Sequence, residues 1–406
     1  MKRHVIRALS VLMLVSLLLG IFGLAVSASS NEGGASESGE LLPAFRLRRG
    51  VPHLEGKRGF RIFELLPKKK RSSAEIAIPS SLSVAEGLVT NREEEMDAAR
   101  SSATLPEALC PGGSVFGVRL FLPGVLVVGV GEDESVHPAY DAGIRVCDLI
   151  VEIDGKAVTR TEDVSRAIHA SSGSAIQFVC MRDGNRLDFS VTPSKEGEDG
   201  QYKAGITIRD NAAGIGTVTY YDPKTGAFGG LGHGICDPDT GKLVPLARGT
   251  VTGAEITDIV KGKAGKPGEL RGHLEPEKKG ALLSNTECGV FGVLSPAPKE
   301  GTPIPLLPKA ELKEGEATLV TSLGEEQPQS YKITVSAIDR TATGSKCFAI
   351  SVCDQALIAK TGGIVQGMSG SPIIQDGKLA GAVTHVMVGD PTRGYGIFIE
   401  NMLNSM

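Results

Sequence analysis

The chain has 406 residues and a formal charge of −4, and its first 28 residues carry three basic groups and no acidic one. The remainder is therefore more acidic still, which excludes the electrostatic footprint of a nucleic-acid-binding protein. Glycine at 52 residues and the absence of tryptophan suit kinked strands and many turns, and argue against a helix bundle.

Lys2, Arg3 and Arg7 precede an apolar run from Val11 to Ala28, and Val26-Ser27-Ala28 has the small residues of a cleavage site. The same run is long enough to cross a bilayer uncut, and the basic residues before it place the remainder of the chain on the outer side. Residues 1–28 are thus expected to be a signal peptide or a membrane anchor, with the rest extracytoplasmic and close to the membrane. Residues 29–110 read as a stalk or pro-region. Asn31 to Glu40 is too polar to build a core. Lys68-Lys69-Lys70-Arg71 is either a solvated charge run or an exposed site for maturation by cleavage, and short strands are expected at Phe60–Leu66 and Ala74–Ile78.

Residues 111–193 carry the pattern of a PDZ-like peptide-binding domain. Val115-Phe116-Gly117-Val118 matches the apolar-Gly-apolar loop that offers backbone N–H groups to a peptide's terminal carboxylate, beside a strand edge open to β-augmentation. Gly124–Val128 is an apolar strand, Pro138–Ile144 a short helix ended by glycine, and Asp148–Lys156 a strand and turn. Thr161–Ala170 comes next as the helix flanking the groove, with Val164 and Ile168 on one face. Ala175–Met181 and Arg186–Val191 complete the small sheet.

Two β-barrels are expected next, at 205–310 and 316–406. Gly262–Gly268 reads as an exposed loop. Pro296, Pro298, Pro303, Pro305 and Pro308 mark an extended linker between the barrels. The seven cysteines are scattered and odd in number, without zinc-ligand spacing, so buried free thiols are expected and no metal or cofactor.

The chemistry concentrates near the C-terminus. Gly367-Met368-Ser369-Gly370-Ser371-Pro372 is a glycine-rich turn able to expose a hydroxyl and aim the Gly367 and Ser369 N–H groups at one spot, as an oxyanion hole requires. Behind it, Ile373–Gln375 and Leu379–Thr384 flank Asp376-Gly377, a hairpin turn signal. A serine nucleophile needs a base. His233, crowded by glycine in Gly229-Gly230-Leu231-Gly232-His233-Gly234, is the first candidate, and His385, on the strand returning from the hairpin, is the alternative. Asp354, Asp258, Asp339 and Asp237 are open as the acid that orients it.

Those stretches, above all Lys360–Pro372, Leu231–Asp237 and Gly112–Gly131, resemble the stage IV sporulation protein B peptidases, PDZ-containing members of the chymotrypsin-like serine protease superfamily. The resemblance implies a mainly β fold, a PDZ-like domain followed by a chymotrypsin-like double β-barrel, and a triad of His233, Asp354 and Ser369. It also implies an exported serine endopeptidase, working in the space between forespore and mother cell. Such an enzyme cuts itself and then a membrane-bound regulator of an intramembrane metalloprotease, leading to late sigma-factor activation. The competing expectation is a non-catalytic PDZ scaffold with a degenerate protease domain.

Overall fold

Two apolar strands of 16 residues each, Val115–Val130 and Ile206–Tyr221, are long enough to serve two modules at once. The computed structural model describes residues 41–43, 105–131, 137–196 and 200–406; the expected leader, the Lys68–Arg71 run and the strands at 60–66 and 74–78 lie outside them. Strands β1 (Leu41–Pro43) and β2 (Ala108–Pro111) come first. Strand β3, Val115–Val130, then runs for 16 residues. Its second half opens the PDZ-like part: helix α1 (Pro138–Ala142), β4 (Leu149–Ile153), β5 (Lys156–Ala157), helix α2 (Thr161–Ala170), β6 (Ile176–Arg182), β7 (Asn185–Val191), and the small pair β8 (Ser194–Glu196) and β9 (Gln201–Lys203).

Local chemistry accounts for these elements. Gly143, at φ +107°, ends α1 in the left-handed conformation that closes a helix C-terminus. Glu162 and Asp163 stand in the first turn of α2, favourable against the helix dipole, while Val164 and Ile168 are buried one turn apart. The PDZ core gathers Val125, Val127, Ile144, Ile150, Val164, Ile168 and Phe178.

The chain next forms β10 (Ile206–Tyr221), β11 (Ala227–Gly230), β12 (Arg248–Val260), β13 (Glu269–Thr286) and β14 (Gly289–Leu294). Pairings β10–β11–β14–β13–β12–β3, closed by β3 on β10, make a six-stranded barrel. Its first stave is Val115–Phe121, which pairs with Asn211–Thr217 on one side and Arg248–Thr252 on the other. The barrel therefore does not start at 205, and a boundary at 111 divides no module: β3 pairs with β4 through Val125 and Leu126 and so belongs to both.

The C-terminal third supplies β15 (Ile304–Pro305), β16 (Gly315–Thr321), β17 (Gln329–Ser336), β18 (Phe348–Val352), helix α3 (Gln355–Thr361), β19 (Pro372–Gln375), β20 (Lys378–Met387), β21 (Asp390–Phe398) and helix α4 (Ile399–Leu403). Its antiparallel sheet has the order β1-β20-β19-β16-β17-β18-β21, with a further pairing of β20 to β21. Asp376 and Gly377, both at positive φ, turn β19 into β20. The proline-rich segment is less free than a linker: Ile304 and Pro305 pair with Leu109 and Ala108. All seven cysteines are free thiols; four are buried, whereas Cys353 is exposed.

Candidate active site

Ser369 sits in the turn between α3 and β19, and His233 lies just past the end of β11, so the two arrive from the C-terminal sheet and from the barrel. His233 Nε2 lies 2.8 Å from Ser369 Oγ, and both residues are buried. The other ring nitrogen, Nδ1, is 2.8 Å from the carbonyl oxygen of Gly234. A carbonyl can only accept, so Nδ1 carries the proton. Burial lowers the His233 pKa from 6.5 to about 4, against a smaller opposing effect of the Gly234 carbonyl. The ring is therefore neutral at ordinary pH, with the Nε2 lone pair facing the serine.

The segment that holds the imidazole is tightly determined. Leu231 has φ +66°, an unfavourable conformation for a branched residue and one found where function imposes it. Asn285 donates to the carbonyls of Ile235 and Val244 and accepts from the Ile235 N–H, which pins the chain just beyond His233.

The serine loop is held from β10. Thr217 donates its N–H to the Ser369 carbonyl at 2.9 Å and its hydroxyl to the Gly367 carbonyl at 2.9 Å. Thr219 donates its hydroxyl to the Gly370 carbonyl at 2.8 Å. A side chain at Gly370 would collide with the Thr217 carbonyl and the Leu231 N–H, so only glycine fits there. Among the described residues the Gly367 and Ser369 N–H groups donate to no acceptor. The expected Gly262–Gly268 loop joins β12 to β13 and leans on this region, with Gly262 N–H on the Thr361 carbonyl and the Gly268 carbonyl accepting from Gln366. Ser371, the other serine, is committed to Thr321 and to the Met368 carbonyl.

The Ser369 hydroxyl has a second acceptor, the Thr384 carbonyl, also at 2.8 Å. One proton cannot serve both, so Thr384 and His233 compete for it. His385 adjoins: its ring centroid is 5.2 Å from that of His233. Burial first, then the His233 and Lys346 charges, lower its pKa to about 2, which leaves it neutral.

The candidate acids are placed otherwise than expected. Asp354 is the N-cap of α3: its carboxylate accepts from the backbone of Lys332, Ala356 and Leu357, and these bonds hold its pKa below the ordinary value. The structure does not bring it to His233, whose Nδ1 proton goes to Gly234. The physical reason is local, since unpaired N–H groups at a helix start capture the nearest carboxylate. Asp237 is buried in an ion pair with Arg209 at 2.6 Å. Asp339 binds Thr341, and Asp258 lies exposed on β12. His273 is exposed beside Glu255.

The peptide groove expected from Val115, Phe116, Gly117 and Val118 with Val164 and Ile168 is not assembled. Phe116 and Val118 belong to the barrel core, whereas Val164 and Ile168 belong to the PDZ core. Val115–Val118 lies inside a stave paired to β10, with Val118 and Gly117 paired to β12 as well, so this segment serves the barrel wall. Gly117 has a packing reason instead: a Cβ there would stand 2.5 Å from Thr252 Oγ1 and Leu274 Cδ2.

Residues 200–403 match the family described as SpoIVB peptidase S55. The chain belongs to that family. Residues 97–192 match a PDZ domain. Serine endoprotease DegS of Escherichia coli is 39% identical over 72 residues, 18% of this chain and 19% of its own. Serine protease HTRA1 of Xenopus tropicalis is 40% identical over 58 residues, 14% of this chain and 12% of its own. LL2128 of Lactococcus lactis subsp. lactis, named as a zinc metalloprotease, is 32% identical over 120 residues, 28% of this chain and 27% of its own. The chain thus spans little more than a quarter of these relatives at most. Among solved structures, the PDZ domain of the SdrC-like protein Lmo2051 of Listeria monocytogenes is 26% identical, covering 21% of this chain and 87% of its own at a TM-score of 0.19.

Proposed function

We propose that this chain is an exported serine endopeptidase in which Ser369 is the nucleophile and His233 its general base. The observation that carries the reading is the 2.8 Å contact between Nε2 and Oγ, on an imidazole whose tautomer Gly234 fixes. Ser369 attacks a peptide carbonyl as its proton passes to His233, and the Gly367 and Ser369 N–H groups receive the oxyanion. His233 then protonates the leaving amine, and water resolves the acyl-enzyme by the reverse path. Here a backbone carbonyl does what an aspartate does in the usual triad, holding the proton on Nδ1.

The C-terminal sheet, whose strand order returns on itself through β20 and β21, supports a second barrel and hence a chymotrypsin-like pair with the cleft between. For peptide recruitment the edge beside α2 is β10 at Ile206–Arg209: among the described residues it is paired only with β3 there, and Asp210 accepts from the Thr161 N–H at the start of the helix. Family membership supports a role in sporulation signalling, with self-processing and a membrane-bound regulator as substrates, and the basic apolar leader supports export. The test is labelling of the purified protein and its Ser369→Ala variant with a fluorophosphonate. Labelling of the first alone is expected, and loss of Ser369 or His233 should remove about 10⁴-fold or more in rate. No labelling of the folded protein would refute the proposal in favour of a scaffold.

A further inference from the structure

The loop Lys261–Gly268, between β12 and β13, carries Lys261, Lys263 and Lys266 and no acidic residue, on a chain whose formal charge is −4. Backbone bonds fix it against the segment that leads to the nucleophile. Gly262 donates to the Thr361 carbonyl at 2.7 Å and Gly265 to the Val388 carbonyl at 2.8 Å, while the Gly268 carbonyl accepts from Gln366 at 2.9 Å. Leu270 then donates to the Gln366 carbonyl at 2.8 Å, and a Cβ on Gly367 would stand 3.0 Å from that of Leu270. Elsewhere the contact is backbone on backbone: a Cβ on Gly362 would lie 2.3 Å from the Gly262 oxygen. The loop is thus anchored one residue from an oxyanion donor, and its charges ride on a fixed support.

The three lysines differ. Lys261 Nζ donates to the Ala359 carbonyl on α3. Lys263 and Lys266 are exposed at the two ends of a turn closed by their own backbone bonds. The acids nearby are engaged elsewhere: Glu269 with Arg271 at 2.7 Å, Glu325 with Lys360 at 2.8 Å, and Asp390 with the N–H and hydroxyl of Thr392. Among the described residues neither Lys263 nor Lys266 has an acidic partner. Two ammonium groups without counter-charge, at the rim of a cleft, raise the local concentration of anionic groups there.

We propose that Lys263 and Lys266 are specificity-determining residues that recruit acidic side chains flanking the scissile bond, so that the substrates of this peptidase are acidic segments. This rests on the peptidase reading above. An anionic bilayer would satisfy the same charge, but a membrane pressed on a loop one residue from Gly367 would close Ser369 to a polypeptide. An acidic segment laid across Ser369 meets the lysines as it binds. Exposed pairs are individually weak and screened by salt, so the two together should favour acidic peptides by about 3–10-fold in kcat/KM at low ionic strength. Rim charges act on encounter and binding, and the gain therefore falls in KM with kcat little changed.

The experiment digests a proteome-derived peptide mixture with the purified protein, at low salt and at about 1 M salt, and reads the cut bonds by mass spectrometry. Ser369→Ala is the blank. Asp and Glu should be enriched about 3–10-fold within a few residues of the cut bond at low salt, and the enrichment should vanish at high salt. Lys263→Glu with Lys266→Glu should turn the preference toward Lys and Arg, while fluorophosphonate still labels Ser369. Should that pair disturb labelling, Lys263→Gln with Lys266→Gln should abolish the preference without reversing it. Labelling with no acidic enrichment, or an enrichment that both lysine pairs leave unchanged, overturns the proposal and leaves the peptidase reading intact. So does lysine-dependent binding of the Ser369→Ala protein to phosphatidylglycerol vesicles with no acidic preference in the cuts. Absence of both labelling and cutting overturns the two together.

Discussion

Replacing Thr217 by valine isolates the link between β10 and the serine loop. The side chain keeps its shape but loses the hydroxyl that reaches the Gly367 carbonyl at 2.9 Å, in a residue with no solvent exposure. A buried carbonyl left without its donor costs about 1–3 kcal/mol, so urea unfolding should show a loss of that size. The same carbonyl belongs to the loop that orients the Gly367 and Ser369 N–H groups. Complete loss of one oxyanion donor costs about 10²–10³ in kcat, so a loosened loop should lower kcat by about tenfold or more with little change in KM. Thr217→Ser restores the hydroxyl and should recover most of the rate. Stopped-flow acylation with a fluorogenic peptide, alongside urea titration, measures both effects. If Thr217→Val unfolded earlier as expected but acylated within about twofold of the parent, the threonine would be structural and the loop-orienting role refuted.

The site sets three further outcomes. Because His233 must be neutral to accept a proton and burial lowers its pKa to about 4, acylation should fall only as pH drops through about 4; a fall centred near 6.5 would contradict the burial. The same group binds its proton more readily unfolded, so its contribution is lost between pH 6.5 and 4, by about 3 kcal/mol, in a pH series of urea midpoints. Asp354→Asn can still cap α3 and should keep most activity, whereas Asp354→Ala should lose about 1 kcal/mol of stability; a loss near 10⁴-fold in kcat for Asn alone would show that this carboxylate meets His233 in the reacting state. Ser371→Ala removes a hydroxyl bonded within the loop's own support and should leave fluorophosphonate labelling of Ser369 in place, read by peptide mass mapping; loss of labelling with the fold retained would move the nucleophile to Ser371.

Sequence patterns served where the cause was local. Gly143, the Val164–Ile168 spacing and Asp376-Gly377 each act within a few residues, and the helices and hairpin they announce are present. The pairing of His233 with Ser369 was also legible, from glycine crowding around both. Val115–Val118 shows the limit: apolar-Gly-apolar fits a carboxylate loop and a barrel stave equally, and the choice depends on partners about a hundred residues away. Thr217, Thr219 and Asn285 carry no local signal at all, since a threonine in an apolar strand reads as ordinary β-propensity. The Gly234 carbonyl is invisible in any sequence, being backbone.

The sharing of β3 and β10 makes the two halves one cooperative object. Where a module is inserted into a surface loop, both of its junctions can open without disturbing the host. Here each crossing is a continuous strand, a stave at one end and a sheet member at the other, so separating the halves means tearing ladders in both. Local opening of the PDZ-like part should therefore propagate into the strand that braces the serine loop, and amides along β10 should exchange as one unit from Ile206 to Thr219. A gene fragment coding for either half alone would encode an unfinished sheet, which makes this pair a poor unit for recombination with other proteins.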